Sequence, residues 1–260
     1  MAELSVGGSC GRNTSTAVLM TSFGPFGSFT VNPSEAVVSA FCKAWEEDGD
    51  DAHLHPVVTH AFAVSYADVT EHCPKLWETY KPKLVVHVGV KGGDPAQVCV
   101  ERCAFNSGYS RPDVAGCVPD GGCCLATDGA SAEPSDERTT QLDVARVVDE
   151  VRRRLATEHD SPLPVVVSSD PGRYLCGFLF YQSLTIDCKR ALAFIKKLSQ
   201  IGCSPSVPAS AHRTLSSEAQ TNHSHLVVAG DDSDDRSPFW RISSRSTITW
   251  FSSARPTLLC

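Results

Sequence analysis

The chain lacks several features that would place it in a membrane or on nucleic acid. No apolar run reaches the roughly 18 residues that are needed to cross a bilayer. Residues 1–16 contain no continuous apolar stretch of the kind that forms a signal peptide. Basic residues are scattered apart from Arg152–Arg154 and Lys196–Lys197, and the net charge is −7. These absences predict a soluble cytosolic protein with no membrane or nucleic-acid partner.

Signatures of metal and nucleotide binding are also missing. The chain has 12 cysteines, which we expect to be reduced thiols because no secretory signal is present. Five of them lie close together in the sequence, namely Cys99, Cys103, Cys117, Cys123 and Cys124. Their spacing lacks the paired C-x2-C pattern of a zinc site, so we expect no metal and no cofactor. The loop Gly89–Gly93 follows an apolar strand as a phosphate loop would, but it has neither the G-x-G-x-x-G nor the Walker spacing. A nucleotide-binding α/β module is kept as an alternative.

Apolar runs and helical patterns alternate over the first 200 residues. The predicted strands are 17–20, 57–64, 84–88, 98–105 and 165–167; the predicted helices begin near Pro33, cover 66–80 with an interruption at Pro74, cover 142–156, and begin again near Cys176. This alternation predicts an α/β fold with a largely parallel sheet, whose ligand site lies beyond the carboxyl ends of the strands. We expect a flexible N-terminus (1–16), one α/β domain (17–200) and a serine-rich, poorly ordered tail (201–260).

One cysteine has a position that favours reactivity. Residues 168–181 run from an apolar strand through the Pro171–Gly172 turn into a helical pattern, with Cys176 in the first turn of that helix. Unpaired N–H groups and the positive end of the helix dipole lower the pKa of a thiol and can hold an oxyanion. Cys176 is therefore a candidate nucleophile. The alternative is that Cys176 is a small buried hydrophobic residue.

Four separated segments together resemble pyroglutamyl-peptidase I, the cysteine exopeptidase that removes an N-terminal pyroglutamate. They are residues 22–27 (SFGPFG) with 31–34 (VNPS), residues 86–90 (VHVGV), residues 101–106 (ERCAFN) with 108–109, and residues 172–176 (GRYLC) with 180–181. Their order and spacing match that family over residues 17–195. The resemblance implies a three-layer α/β/α sandwich of the purine-phosphorylase type, with a largely parallel mixed sheet.

The resemblance also implies roles for individual residues. Cys176 matches the nucleophile, Glu101 the acidic member of a Cys-His-Glu triad, and Phe23 and Phe26 the aromatic residues that hold the lactam ring. Such a flat, neutral ring suits aromatic faces, and the implied partners are peptides with an N-terminal pyroglutamate. The alternatives are that Phe23 and Phe26 are core residues at a turn and that Glu101 is a salt-bridged strand end beside Arg102.

The triad histidine is not found where the resemblance places it. The family has a strand of the type Phe-Val-His-Val-Pro about twenty residues beyond the cysteine, and here 193–195 (AFI) is followed by Lys196. The other candidates for the base are His87 in a strand and His212, His223 and His225 in the tail. Lys196 itself can act as a base only if burial lowers its pKa by several units. Two functions therefore stay open: a pyroglutamyl-peptidase-like hydrolase of low or absent activity, and an inactive relative that binds peptides or a protein through the same pocket.

Overall fold

The computed structural model describes residues 17–27, 29–47, 56–93, 95–125, 136–158 and 163–198. The strands are Val18–Phe23 (β1), Val57–Phe62 (β2), Leu84–Gly92 (β3), Gln97–Glu101 (β4), Cys103–Phe105 (β5), Glu137–Thr139 (β6), Val165–Ser168 (β7) and Ala191–Leu198 (β8). The helices are Pro33–Glu47 (α1), Tyr66–Tyr80 (α2), Val144–Glu158 (α3) and Leu175–Asp187 (α4), with a short 3-10 turn at Asp120–Gly122. The predicted flexible N-terminus and serine-rich tail lie outside the described residues.

Six of the strands form one sheet, in the order β2-β1-β3-β8-β4-β7. Strands β1, β2, β3 and β8 run in the same direction, and β4 pairs antiparallel with β8 and parallel with β7. A separate antiparallel pair joins β5 to β6. The sheet is therefore largely parallel and mixed, as predicted.

Helices cover both faces of the sheet. On the front face, α2 and α4 pack against alternate strand residues such as Leu19, Val85 and Ala193. On the back face, α1 and α3 pack against the intervening residues, such as Met20 and Phe194. Because successive side chains of a strand point to opposite faces, β1, β3 and β8 each supply residues to both clusters. This arrangement confirms the predicted three-layer α/β/α sandwich. None of the helices in the described ranges is long and apolar enough to cross a membrane.

Helix α1 begins as its sequence predicts. Asn32 is the capping residue, and its Oδ1 accepts hydrogen bonds from the Ser34 backbone N–H at 3.0 Å and from the Ser34 hydroxyl at 2.8 Å. Pro33 occupies the first helical position, where a missing N–H costs nothing. The Asn32 side chain also donates to the Gly24 carbonyl at 2.9 Å, so the same residue fixes the turn after β1.

The interruption predicted at Pro74 is wrong. Helix α2 continues through Pro74 and ends at Tyr80, and the capping residue Lys81 adopts a left-handed conformation with φ of 43°. Proline removes one intrahelical hydrogen bond. The buried side chains of Cys73, Leu76 and Trp77 hold the helix on the front face and offset that loss.

The single strand predicted over 98–105 is also wrong. The chain leaves the large sheet at Arg102, between β4 and β5. The Arg102 N–H donates to the Ser168 carbonyl at 2.7 Å, and its carbonyl accepts from the Thr140 N–H at 2.9 Å. Arg102 therefore joins β7 to the segment after β6, and its neighbours belong to two different sheets.

Candidate active site

A cleft of about 450 Å³ opens beyond the carboxyl ends of β1, β3 and β8. Its walls come from the turn after β1, the end of β3, the turn before α4 and the end of β8. Among the residues that line the cleft are Phe23, Phe26, Lys91, Cys176 and Lys197. The structure therefore brings together three of the four residues singled out in the sequence, and the cleft lies where the sheet topology predicts it.

Cys176 is the second residue of α4 and comes two residues after the extended capping residue Tyr174. Its Sγ lies 3.8 Å from the carbonyl oxygen of Val90 on β3. A Cβ atom on Gly89 would lie only 2.6 Å from that sulfur. Gly89 thus provides the space that the thiol occupies, which explains this glycine without a bound phosphate.

The turn before α4 is held by close packing. Gly172 has a φ of 83°, a conformation that favours glycine, and a Cβ on Gly177 would collide with the Gly172 carbonyl oxygen. The guanidinium of Arg173 lies 3.7 Å from the centre of the Phe105 ring and 3.4 Å from Asp170 Oδ1. These contacts fix the position of the first turn of α4, and with it that of Cys176.

The thiol of Cys176 is not ionised by its helix position alone. Burial raises its pKa to about 11, even though the charge of Lys91 acts in the opposite direction. The lowered pKa that the helix dipole predicts is therefore wrong, because desolvation of the sulfur is the larger effect. A buried thiol with a raised pKa is mostly protonated at pH 7, so a reactive Cys176 needs further activation.

Glu101 ends β4 with a side chain that has 0% exposure. It does not line the cleft. Its Oε1 lies 3.4 Å from Nζ of Lys91, and Lys91 also donates to the Asp170 carbonyl. Burial raises the pKa of Glu101, while the Ser168 hydroxyl and Lys91 lower it. Glu101 is therefore a buried carboxyl group that reaches the cleft through Lys91, and its ion-pair partner is Lys91 instead of the adjacent Arg102.

No histidine of the described ranges lines the cleft. His87 is buried on the front face, where its two ring nitrogens lie 2.7 Å from the hydroxyls of Thr21 and Ser183. Burial lowers its pKa to about 3, which makes it a neutral structural group. The other histidines proposed as the base lie outside the described residues: His212, His223 and His225.

Lys196 has the environment of a lysine base but lies on the wrong face. Burial lowers its pKa to about 8. However, Lys196 pairs with Val98 and Phe194 with Val100, and Phe194 and Val100 belong to the back-face cluster. Because directly opposed residues in an antiparallel pair share a face, Lys196 lies on the back face, whereas Cys176 lies on the front. The next residue, Lys197, lines the cleft.

Phe23 and Phe26 both line the cleft, but they differ in burial. Phe23 is only 4% exposed and its ring lies 6.1 Å from that of Phe62, so it is a core residue as well as part of the wall. Phe26 is partly exposed and stacks on Phe29 with ring centres 5.1 Å apart. Phe23 is therefore a core residue whose ring also forms part of the cleft wall, and its role in holding a lactam ring stays a prediction.

The cleft is more positive than the chain as a whole. Among the described residues, Asp170 is the one acidic residue that lines the cleft. Four basic residues line it: Lys91, Arg111, Arg173 and Lys197. The guanidinium of Arg111 lies 4.4 Å from the centre of the Tyr174 ring. A cleft of this kind attracts the anionic parts of a ligand. Within the described ranges, no group of three or more His, Cys, Asp or Glu residues could hold a metal ion.

Comparison with known proteins agrees with the geometry. Residues 16–229 match the pyroglutamyl peptidase family, Peptidase_C15. The chain belongs to the pyroglutamyl peptidase family. It is 37% identical to pyroglutamyl-peptidase 1 of Mus musculus and of Homo sapiens over 168 residues, which are 65% of this chain and 72% of each relative. It is 31% identical to the human pyroglutamyl-peptidase 1-like protein over 121 residues, 46% of this chain and 55% of that relative.

Solved structures of pyroglutamyl peptidases share the fold. The crystal structure of pyrrolidone carboxyl peptidase from Fervidobacterium islandicum AW-1 superposes with a TM-score of 0.55 at 26% identity, covering 70% of this chain and 80% of that one. These findings confirm the family and the α/β fold predicted from four short motifs, and they place the chain among cysteine peptidases. The matched range of the family includes all three tail histidines.

Proposed function

We propose that this protein hydrolyses the bond between an N-terminal pyroglutamate and the following residue, with Cys176 as the nucleophile. The observation that carries the proposal is the position of Cys176 in the first turn of α4, in a cleft that it shares with Phe23 and Phe26. Family membership supports the substrate class.

The reaction proceeds through a thioester. The Cys176 thiolate attacks the carbonyl carbon of pyroglutamate, and the negative charge moves to the carbonyl oxygen. Backbone N–H groups at the start of α4 have no intrahelical partner and can donate to that oxygen. The C–N bond then breaks, and the peptide leaves as an amine after taking up a proton. Water cleaves the pyroglutamyl thioester, which releases pyroglutamate and restores the thiol.

The cleft suits a neutral ring. Pyroglutamate has no free α-amine, so a carboxylate clamp for a peptide N-terminus would have no partner. Asp170 is the one acidic lining residue in the described ranges, and it pairs with Arg173. Phe23 and Phe26 offer aromatic faces between which a lactam ring can pack. All nine described cysteines are free thiols, which suits a reducing compartment such as the cytosol.

A fluorogenic pyroglutamyl amide tests the proposal. We expect the full chain to release the fluorescent amine and Cys176→Ala to lose at least about 10³-fold of that rate, because the nucleophile is removed. Cys117→Ala is the matched control, since Cys117 is an exposed free thiol that does not line the cleft. The Cys117→Ala variant should release the fluorescent amine at a rate within about twofold of that of the full chain. Equal rates for Cys176→Ala and the full chain would overturn the proposal.

A second candidate is a member of the family that binds pyroglutamyl peptides without turnover. Two observations favour it: no described histidine lines the cleft, and burial raises the pKa of Cys176 to about 11. Calorimetric titration of a pyroglutamyl tripeptide into the chain separates the two functions. Binding without amine release supports the second candidate, whereas release that depends on Cys176 rejects it.

A further inference from the structure

Lys91 lines the same cleft as the thiol and contacts the buried carboxyl group. It lies on β3 two residues after Gly89, so both residues face the front of the sheet. The Cys176 sulfur packs against Gly89, and Lys91 Nζ lies 3.4 Å from Glu101 Oε1. Its ammonium also donates to the Asp170 carbonyl in the turn that leads to Cys176.

We propose that Lys91 is the cation that stabilises the Cys176 thiolate, and that Glu101 and the Asp170 carbonyl hold it in place to do so. This inference rests on the proposed function only in taking Cys176 as the nucleophile. Lys91 is a positioning residue. Its positive charge stabilises the thiolate, which is what the imidazolium of histidine does in a thiol–imidazole pair.

Lys91 does not act as the base. The thiol proton passes to water or to a buffer base in the cleft. The product is a thiolate beside an ammonium, the same charge arrangement as a thiolate–imidazolium pair. Glu101 is the counterion that keeps the ammonium in the site, since a carboxylate with 0% exposure is stable only with a partner of opposite charge.

Two independent features support this arrangement. The side chain of Lys91 is only 19% exposed, so its charge is poorly screened by solvent. The positive charge of Lys91 lowers the pKa of Cys176, and it also lowers the pKa of Glu101. One ammonium therefore acts on both groups.

Lys197 provides an internal control. It also lines the cleft and lies on the same face, since it pairs with Lys91 on the neighbouring strand. The structure gives it no ion pair with a carboxylate of the described ranges. A general effect of positive charge in the cleft would involve both lysines, whereas the proposed role belongs to Lys91.

The test is the pH dependence of Cys176 alkylation by iodoacetamide, followed by mass spectrometry of the peptide that contains Cys176. We expect Lys91→Met and Lys91→Gln to move the midpoint up by about one pH unit, which is about tenfold less thiolate at a given pH below the midpoint. Lys91→Arg keeps the charge and should restore the rate to within about threefold. Lys197→Met should change the rate of Cys176 alkylation less than twofold.

Thermal unfolding of each variant separates charge from structure. If Lys91 only stabilises the turn before α4, Lys91→Gln lowers the melting temperature and leaves the midpoint of the alkylation pH profile unchanged. That result overturns the proposal. An equal shift in Lys197→Met also overturns it. Alkylation needs no substrate, so a chain that fails to cleave pyroglutamyl amides still tests the role of Lys91. A failure of the proposed hydrolase function can therefore be distinguished from a failure of the role proposed for Lys91.

Discussion

The two faces of the sheet differ in chemistry although the same strands supply both. The back face is covered by α1 and α3, and its buried cluster is made of Val, Leu, Met, Phe and Trp. The front face is covered by α2 and α4 and includes buried polar groups, among them His87 and Ser183, as well as the thiol of Cys176. The back face therefore supplies stability, and the front face combines stability with the reactive group.

Two adjacent lysines of β8 show that neighbouring residues of one strand lie on different faces of the sheet. Lys196 and Lys197 are neighbours in sequence, yet Lys197 lines the cleft whereas Lys196 is buried on the back face. A shift of one residue in the register of β8 would exchange them. The position of a base in this protein is therefore a question of strand register as much as of residue type.

The largest effect that we expect separates the two aromatic residues of the cleft. Phe23→Ala removes a side chain that is 4% exposed and should lower the free energy of unfolding by about 3–5 kcal/mol. Phe26→Ala removes a partly exposed ring and should cost about 1 kcal/mol or less, while raising KM for a pyroglutamyl amide. Urea unfolding and steady-state kinetics measure the two quantities. Equal losses of stability would show that Phe26 is also a core residue.

The next effect concerns the contact between Gly89 and the thiol. In Gly89→Ala the new methyl group would lie 2.6 Å from the Cys176 sulfur, so the thiol must rotate out of its position or the start of α4 must move. We expect at least about a 100-fold loss of turnover, since a displacement of about 1 Å can cost that much. Gly24→Ala is the control, because its Cβ would make an ordinary contact of 3.6 Å with the Phe62 carbonyl. A fully active Gly89→Ala variant would contradict the position assigned to the sulfur.

Histidine substitution of the two lysines sharpens the comparison of the faces. Lys197→His places an imidazole on the face of Cys176, and we expect it to raise turnover of a pyroglutamyl amide about tenfold by general-base catalysis. Lys196→His places the imidazole on the back face and should give no gain. The rates of both variants are compared with that of the unmodified chain. A gain in Lys196→His alone would show that the register of β8 differs from that described here.

Per pH unit, the smallest effect is the pH dependence that the buried ring of His87 adds to stability. The pKa of His87 is about 3 in the folded protein and near 6.5 in the unfolded chain, so the unfolded state binds more protons between these values. The neutral ring therefore favours the folded state above pH 6.5, and this contribution falls as the pH drops toward 3. The loss is roughly 1 kcal/mol per pH unit.

His87→Asn should therefore flatten the fall in stability between pH 6.5 and 4.5, as measured by urea unfolding at a series of pH values. His72→Asn is the control, since His72 lies on α2 with a partly exposed ring. If His87→Asn and the unmodified chain lose stability in parallel, His87 is not the group that titrates.

Much of the front face follows from local sequence signals. Asn32 and Pro33 determine where α1 begins, and the Pro171–Gly172 turn determines that Cys176 lies in the first turn of α4. These features depend on a few adjacent residues, so a single sequence predicts them. The four motifs also predict the family and the sandwich correctly.

The remaining features depend on contacts between distant segments. The pairing of Lys91 with Glu101 arises because β3 and β4 flank β8, which no local pattern reveals. The pKa of Cys176 is raised because burial outweighs the helix terminus, and burial depends on the whole packed structure. The break at Arg102 likewise follows from hydrogen bonds to Ser168 and Thr140, far away in sequence.

The most direct test of the site is covalent labelling with pyroglutamyl chloromethyl ketone, in which a thiolate displaces chloride from a reagent that carries the lactam ring. The site described here predicts that Cys176 alone is labelled, and that an excess of 2-pyrrolidone, the unsubstituted lactam, slows the labelling. Peptide mass spectrometry identifies the modified residue. Labelling of another cysteine, or labelling of Cys176 that 2-pyrrolidone leaves unchanged, would contradict the assignment of this cleft as the pyroglutamate site.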